Sequence, residues 1–420
     1  MKKRTLSLLV FSFSLLVSSA QTAKEEIYAD ILKSGSNYMA YQAPKQALTP
    51  APKGYEPFYM SHYGRHGSRW LINENDYTSV LRVFRRANEQ GKLTALGKEA
   101  LEKLERFIPT TRGRLGELSD IGEQQHHGIG HRMTVNFPEI FSGKDAEVDA
   151  RSTVVIRCIL SMTAECEELT AFNSNMKMHN DVSESFQYYL NHNFSQRLRD
   201  ASRDRASIVS QYAKKYTHPE RFCRALFNDE SYWNDEDFRP RSFMRSVFNV
   251  ITNMQSHGNG EDMWNLFTTE ECYDLWKIVN IDWYLGYGAA PQTGSIMQFN
   301  QADLLHNMIE TTDPLWHPRP SRTVPLFVSD MKCALCLLPA SWNSTAAVVR
   351  CRILTTLRTI GSTIASTQWP ATSSSSSIVP RSRKMPQFLS RHSSTRRKPP
   401  FPFPPTNIPI TNGKTSVPTT

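Results

Sequence analysis

Apolar and polar positions change period several times along the chain, and each change marks an element. From Tyr59 to Gly64 the chain is apolar-leaning; it breaks at Gly64 and Gly67, which reads as a strand, a turn and a helix start over Gly67 to Trp70. Residues 24–57 ahead of it read as a short helix and a loop spaced by Pro44, Pro50, Pro52 and Pro57. Asn75 to Glu89 reads as the next helix. Leu96, Ala100, Leu101, Leu104 and Ile108 recur at helical spacing, so Thr94 to Phe107 is a core-facing helix. Another opens at Leu118-Ser119-Asp120-Ile121-Gly122-Glu123, with Asp120 as cap and Glu123 reaching back, and runs to about Phe137 before Pro138. Ala146 to Ala150 is a short strand. Val155, Ile159, Met162, Cys166 and Leu169 then follow a helical period with no Pro or Gly between them, which predicts a long buried helix.

Beyond Asn173 the pattern becomes charged and punctuated by aromatics (Phe186, Tyr188, Tyr189, Phe194, Phe238, Phe243, Trp264, Trp276), without strand alternation. This predicts a mostly helical second domain over 173–280, interrupting an α/β domain whose first part is 21–172 and which the chain re-enters over 281–312. His179-Asn180-Asp181 and His218-Pro219-Glu220 read as caps and turns. After about Thr312 no period persists; 27 of the last 90 residues are Ser or Thr and 11 are Pro, so 313–420 is expected to be a disordered tail.

Charge and cysteine narrow the function. The formal net charge of +9 invites a nucleic-acid partner, but 12 Lys and Arg and no Asp or Glu lie in 331–420. That leaves 37 basic against 40 acidic residues in the first 330, so the basicity belongs to the tail and no nucleic-acid surface is expected. Lys2, Lys3 and Arg4 precede an apolar Leu6 to Val17 and a small-residue site at Ser18-Ser19-Ala20, which reads as an export signal over 1–20. The product is then exported, periplasmic or secreted, with no membrane span after signal removal. Seven cysteines are an odd number at low density. Cys158 and Cys166 lie eight residues apart on one helix, about 12 Å, too far to bridge. Cys333 and Cys336 have no second pair at zinc spacing, and His126, His127 and His131 have no ligand carboxylate beside them in sequence, so no metal is expected.

The chemistry concentrates in Arg65-His66-Gly67-Ser68-Arg69-Trp70. Arg65 and Arg69 can present planar forks of donors to phosphate oxygens, Gly67 removes a Cβ where backbone approaches an anion, and a neutral His66 can attack phosphorus. The competing reading is a surface turn with solvated arginines. Asp149-Ala150-Arg151-Ser152-Thr153 puts Arg151 at the carboxyl end of a strand, where open α/β sheets bind ligands. Arg82, Arg85 and Arg86 read as a solvated helix face.

With its Leu-Ser-x-x-Gly helix start, Phe137-Pro138-Glu139 and Asp149-x-Arg151-Ser152-Thr153, the motif resembles the histidine acid phosphatases (branch 2 of the histidine phosphatase superfamily), and within them the multiple inositol polyphosphate phosphatases. The resemblance covers roughly 50 to 310. It implies a phosphoglycerate mutase-like α/β sheet domain with a helical cap, no cofactor, and a small anionic phosphate-ester substrate. It makes His66 the nucleophile that becomes phosphohistidine, and Arg65, Arg69 and Arg151 the phosphate clamp.

It also implies a proton donor in a His-Asp or His-Ala-Glu motif beyond Leu305, and this chain has none there: His306 precedes Asn-Met, His317 precedes Pro-Arg and His392 precedes Ser-Ser. The loss coincides with the change in composition, which is the mark of a reading-frame shift between Thr312 and Ser329. A real Ser/Thr/Pro-rich tail on a truncated enzyme is the alternative reading of this stretch. The function the resemblance implies is a phosphomonoesterase acting on inositol polyphosphates, with a catalytically impaired anion-binding pseudo-phosphatase as the alternative; a mutase or another phosphatase of the wider superfamily fits the export signal and the large helical insertion poorly.

Overall fold

The strand expected ahead of the Arg-His-Gly motif forms, as β1 (Tyr55–Arg65), in the computed structural model, which describes residues 23–45, 48–191, 194–312, 323–329 and 372–380. The expectations for 1–20 and for most of 313–420 lie outside these residues. With β2 (Glu147–Ser152), β3 (Lys177–Val182), β4 (Thr323–Ser329) and β5 (Thr372–Pro380), β1 makes a five-stranded sheet in the order β3-β2-β4-β1-β5. The first four run parallel and β5 is antiparallel to β1.

Register fixes what the sheet presents. Arg65 pairs with Ser329 and Tyr63 with Phe327, while Phe327 on its other side pairs with Arg151. Arg65 and Arg151 therefore share the carboxyl edge, with β4 between their strands, two strand spacings or about 10 Å apart across the sheet.

Three expectations are corrected. Lys177–Val182 is a strand rather than caps and turns, with His179 carried by it and 3.1 Å from Glu147. Its polar, largely exposed pattern hides the edge strand from any search for alternation. Ile281–Tyr287 does not return to the sheet; it is the end of a 19-residue helix, Thr269–Tyr287, closed at its start by a capping box of Thr268 and Glu271. The return is made by Thr323–Ser329, inside the segment read as disordered, where Leu326 is fully buried. Val324, Leu326 and Val328 alternate there, a strand pattern masked by the composition around it.

The helices that matter for the site are α1 (Glu74–Glu89), α2 (Ala95–Phe107), α3 (Asp120–Asn136) and α4 (Ile156–Phe172). On one face of the sheet, α3 and α4 bury Ile129, Met133, Cys158, Met162 and Leu169 against Met60, Val148, Ala150 and Leu326. On the other, Tyr63 packs with Tyr189, Leu190, Leu304 and Met308. A larger core is aromatic: Phe84 and Phe107 from α1 and α2 join Phe222, Phe243, Phe248 and Phe267. Side chains from 74–107 and 219–278 thus share one core. Cys158, Cys166, Cys223 and Cys272 are buried. Among the described residues no helix is long and apolar enough to cross a membrane.

Tyr77 ties this core to the motif. Its fully buried hydroxyl accepts from Leu71 N (2.8 Å) and donates to Asn253 Oδ1 (2.6 Å), while Asn253 Nδ2 donates to Arg69 O (2.9 Å). Tyr77→Phe leaves two buried polar groups without this partner, and a loss of about 1–3 kcal/mol is expected in urea denaturation; an unchanged midpoint would remove the hydroxyl from the account of the fold.

Candidate active site

After β1 the chain does not start a helix at Gly67; the next helix begins at Glu74. The turn His66 to Trp70 instead lies on the amino end of α3, and both glycines at that contact are explained by it. A Cβ on Gly67 would sit 2.3 Å from Gly122 O, and one on Gly122 would sit 2.2 Å from Ser68 O. Gly67 is thus required by packing against protein backbone. Ser119, rather than Asp120, caps α3: its Oγ accepts from Gly122 N (3.2 Å) and donates to Ser256 O (2.6 Å), while Ser119 N donates to Ser68 O (2.9 Å). Gln125, one turn along α3, accepts from Ser68 N (2.9 Å) and donates to Ser68 Oγ (3.0 Å). Gly67 N donates to Ser161 Oγ on α4 (3.1 Å). The far end is closed by Trp70 N donating to Glu117 O (3.1 Å) and by the Trp70 ring stacked 3.6 Å from His257. Burial, with Arg114 nearby, pushes the His257 pKa down to about 3, so this ring packs as a neutral group.

Within this turn His66 is 2% exposed, and its Nδ1 is 2.6 Å from Gly67 O. A carbonyl can only accept, so Nδ1 carries a proton, and in the neutral ring the lone pair is then on Nε2. That is the tautomer a nucleophilic imidazole needs. Arg65 Nη1 donates to Asn37 O (3.1 Å); Arg69 Nη1 donates to Trp70 O (2.7 Å) and its guanidinium lies 5.8 Å from the Tyr38 ring. The adjacent residues Asn37 and Tyr38 therefore hold both arginines, and they also line a cavity of about 430 Å³ with Arg245 and Asn249. Proline spacing around 24–57 gave no hint of this.

The structure brings Arg65, His66 and Arg69 into one turn. Arg151 stands across β4 from them, its guanidinium bound by both oxygens of Asp149 (3.1 and 2.8 Å), donating to Tyr189 Oη (3.1 Å), and 4.8 Å from the Phe186 ring. Burial disfavours its charge, but Tyr189 and Asp149 outweigh this and raise its pKa.

Sequence reasoning missed a buried cluster beneath the turn. His126 Nδ1 is 2.5 Å from Glu165 Oε1, and His62 Nε2 is 3.5 Å from Glu165 Oε2; all three side chains are fully buried. The histidines of α3 do have carboxylates beside them, supplied by α4: His127 lies 3.0 Å from Glu168, and His131 lies 3.8 Å from it. Of the three glutamates Glu165, Glu167 and Glu168, only Glu165 falls on the helical stripe of Cys158, Met162 and Leu169, and that was the available signal. Among the described residues no group of three or more His, Cys, Asp and Glu is arranged to hold a metal ion.

The fold is that of the histidine acid phosphatases, a mixed α/β architecture. The multiple inositol polyphosphate phosphatase of Bifidobacterium longum, complexed with inositol hexasulfate, superposes with a TM-score of 0.60 at 14% identity, over 73% of this chain and 80% of that one. The phytase of D. castellii superposes with a TM-score of 0.55 at 15% identity, over 71% of this chain and 65% of that one. No family profile and no curated sequence matches the chain.

Burial alone would raise the Glu165 pKa, but His62 and His126 pull it from 4.5 down to about 2. A carboxylate whose pKa is lower in the folded state adds stability above its unfolded value and loses it as pH falls through the folded one. The difference in melting temperature between wild type and Glu165→Gln is therefore expected to shrink as pH falls from 4.5 towards 2. A difference independent of pH across that window would mean the carboxylate is not ionised in the folded protein.

Proposed function

We propose that this chain is an exported phosphomonoesterase of the histidine acid phosphatase type, acting on inositol polyphosphates. The observation that carries the reading is the His66 tautomer: Nδ1–H held by Gly67 O at 2.6 Å, with Arg65 and Arg69 flanking the imidazole in the same turn. Nε2 attacks phosphorus, the P–O bond to the alcohol breaks, and the alkoxide leaves and takes its proton from water, the proton-donor motif being missing. Water then cleaves the phosphohistidine, releasing inorganic phosphate and restoring the imidazole. Charge-assisted bonds of about 1.5–3 kcal/mol each from Arg65 and Arg69 suffice to hold a dianion. Arg151 would join them by exchanging Asp149 for a substrate phosphate. The fold likeness to an inositol polyphosphate phosphatase and a phytase supports the substrate class, and the amino-terminal Lys2 to Ala20 pattern supports export.

A second reading, a pseudo-phosphatase that binds anions without turnover, is favoured by the missing proton-donor motif. Loss of a general acid costs about 10²–10⁴ in rate, and most for poor leaving groups such as inositol oxygens. The expected outcome is weak turnover of activated aryl phosphates and almost none of phytate, with radiolabelled phosphate trapped on His66 and none trapped by His66→Ala. Comparable rates on both substrates would refute the missing-acid argument, and an unlabelled wild type would leave only the binder.

The disappearance of acidic residues after Asp330 supports an out-of-frame stretch that begins between Thr312 and Ser329. The nucleotide sequence beyond that point is expected to encode, in another frame, an acidic segment with a His-Asp or His-Ala-Glu. Its absence from both other frames would sink the frameshift.

A further inference from the structure

Two helices grip the nucleophile's strand at two levels, one helical turn apart. At the upper level α4 offers Ser161 Oγ to Gly67 N (3.1 Å), and α3 offers Gly122, whose backbone touches Gly67. Four residues further along each helix, about 6 Å, come Glu165 and His126, which meet at 2.5 Å. The third member of the lower level, His62, lies on β1 four residues before His66 and 3.5 Å from Glu165. The strand is thus held on both sides of the residues that place the imidazole. Gly130, one more turn along α3, keeps the helices close: a Cβ there would lie 2.8 Å from Glu165 O.

Three buried ionisable side chains are an expensive way to fill this space, since apolar residues of equal volume hold helices together at least as well. What apolar residues lack is direction. Glu165 accepts on one oxygen from His126 and faces His62 with the other, which fixes the rotation of α4 about its axis and, through Ser161, the orientation of the His66–Gly67 peptide. The next peptide, whose N–H on Ser68 is held by Gln125, pivots on Gly67 from that plane, and its carbonyl, Gly67 O, receives the His66 Nδ1–H.

We propose that Glu165 is a positioning residue for the nucleophile: bound by His126 and His62, it sets the turn of α4 that orients Gly67, and so holds His66 in the tautomer that leaves Nε2 unprotonated. This rests on His66 being the nucleophile, but its first readout does not require turnover. Glu165→Gln keeps an acceptor for His126 and a polar group towards His62; Glu165→Met fills a similar volume and keeps neither. Nitrogen NMR of the imidazoles in the ligand-free full chain reports the His66 tautomer directly. Wild type and Glu165→Gln are expected to show Nδ1–H alone, and Glu165→Met a mixture of both tautomers. In phosphohistidine formation from p-nitrophenyl phosphate, Glu165→Gln should stay within about threefold of wild type, whereas Glu165→Met should slow by ~10²-fold in rate with KM unchanged, the size expected of a displaced reacting atom.

A folded Glu165→Met that keeps tautomer and rate overturns the proposal, as does a Glu165→Gln that loses as much as Met. If the Met variant does not fold, Ser161→Ala decides: it removes the link to Gly67, and an unaltered His66 tautomer in it overturns the proposal. A wild type that shows the single tautomer, kept in Glu165→Gln and lost in Glu165→Met, but never becomes phosphorylated would remove the phosphatase reading and leave the positioning role standing.

Discussion

Backbone meets backbone at Gly67 and Gly122, and much of the site's geometry follows from that contact. Neither position has room for a Cβ. The turn bearing Arg65, His66 and Arg69 is therefore held by peptide groups and short side chains, and Ser119, Gln125 and Ser161 can reach its N–H and C=O groups. Arg65, the only one of the three within a strand, takes its position from the sheet, while the next four residues take theirs from α3 and α4. Such a turn has little conformational freedom left to lose.

Electrostatics beneath the turn is arranged differently from electrostatics at its mouth. Arg65 and Arg69 are partly exposed; a backbone carbonyl accepts from each, and Arg69 also lies over the Tyr38 ring. Below, Glu165 is a sealed carboxylate that two imidazoles keep ionised. Arg151 holds a carboxylate as well, that of Asp149.

Much of this was legible in the residues. The helices at 74–89, 95–107, 120–136 and 156–172 follow from apolar period and capping chemistry, which are local properties. The Arg-His-Gly turn could be found because it carries its own chemistry in six consecutive residues. What escaped is non-local. Glu165, His62 and His126 come from three elements, and no spacing in the sequence joins them. Asn37 and Tyr38 act through a backbone carbonyl and a ring face, properties that every residue type or every aromatic possesses. Lys177–Val182 is an exposed edge, where strand pairing does not depend on apolar alternation. Thr323–Ser329 has the alternation, but seven residues of pattern were outweighed by the composition of the ninety that follow.

The order of strands carries a consequence for how the protein comes into being. β1 and β2 do not pair with one another; β4 is the wedge between them, and it is translated after β1, β2, β3 and nearly all the helices. Until the ribosome has passed Ser329, the growing polypeptide holds β1 without a strand partner and a β2-β3 pair with one bare edge, the kind of edge that recruits foreign strands. A product cut short before that codon would be a sticky, unfinished molecule rather than a smaller working one, and selection on the gene would feel its loss as aggregation.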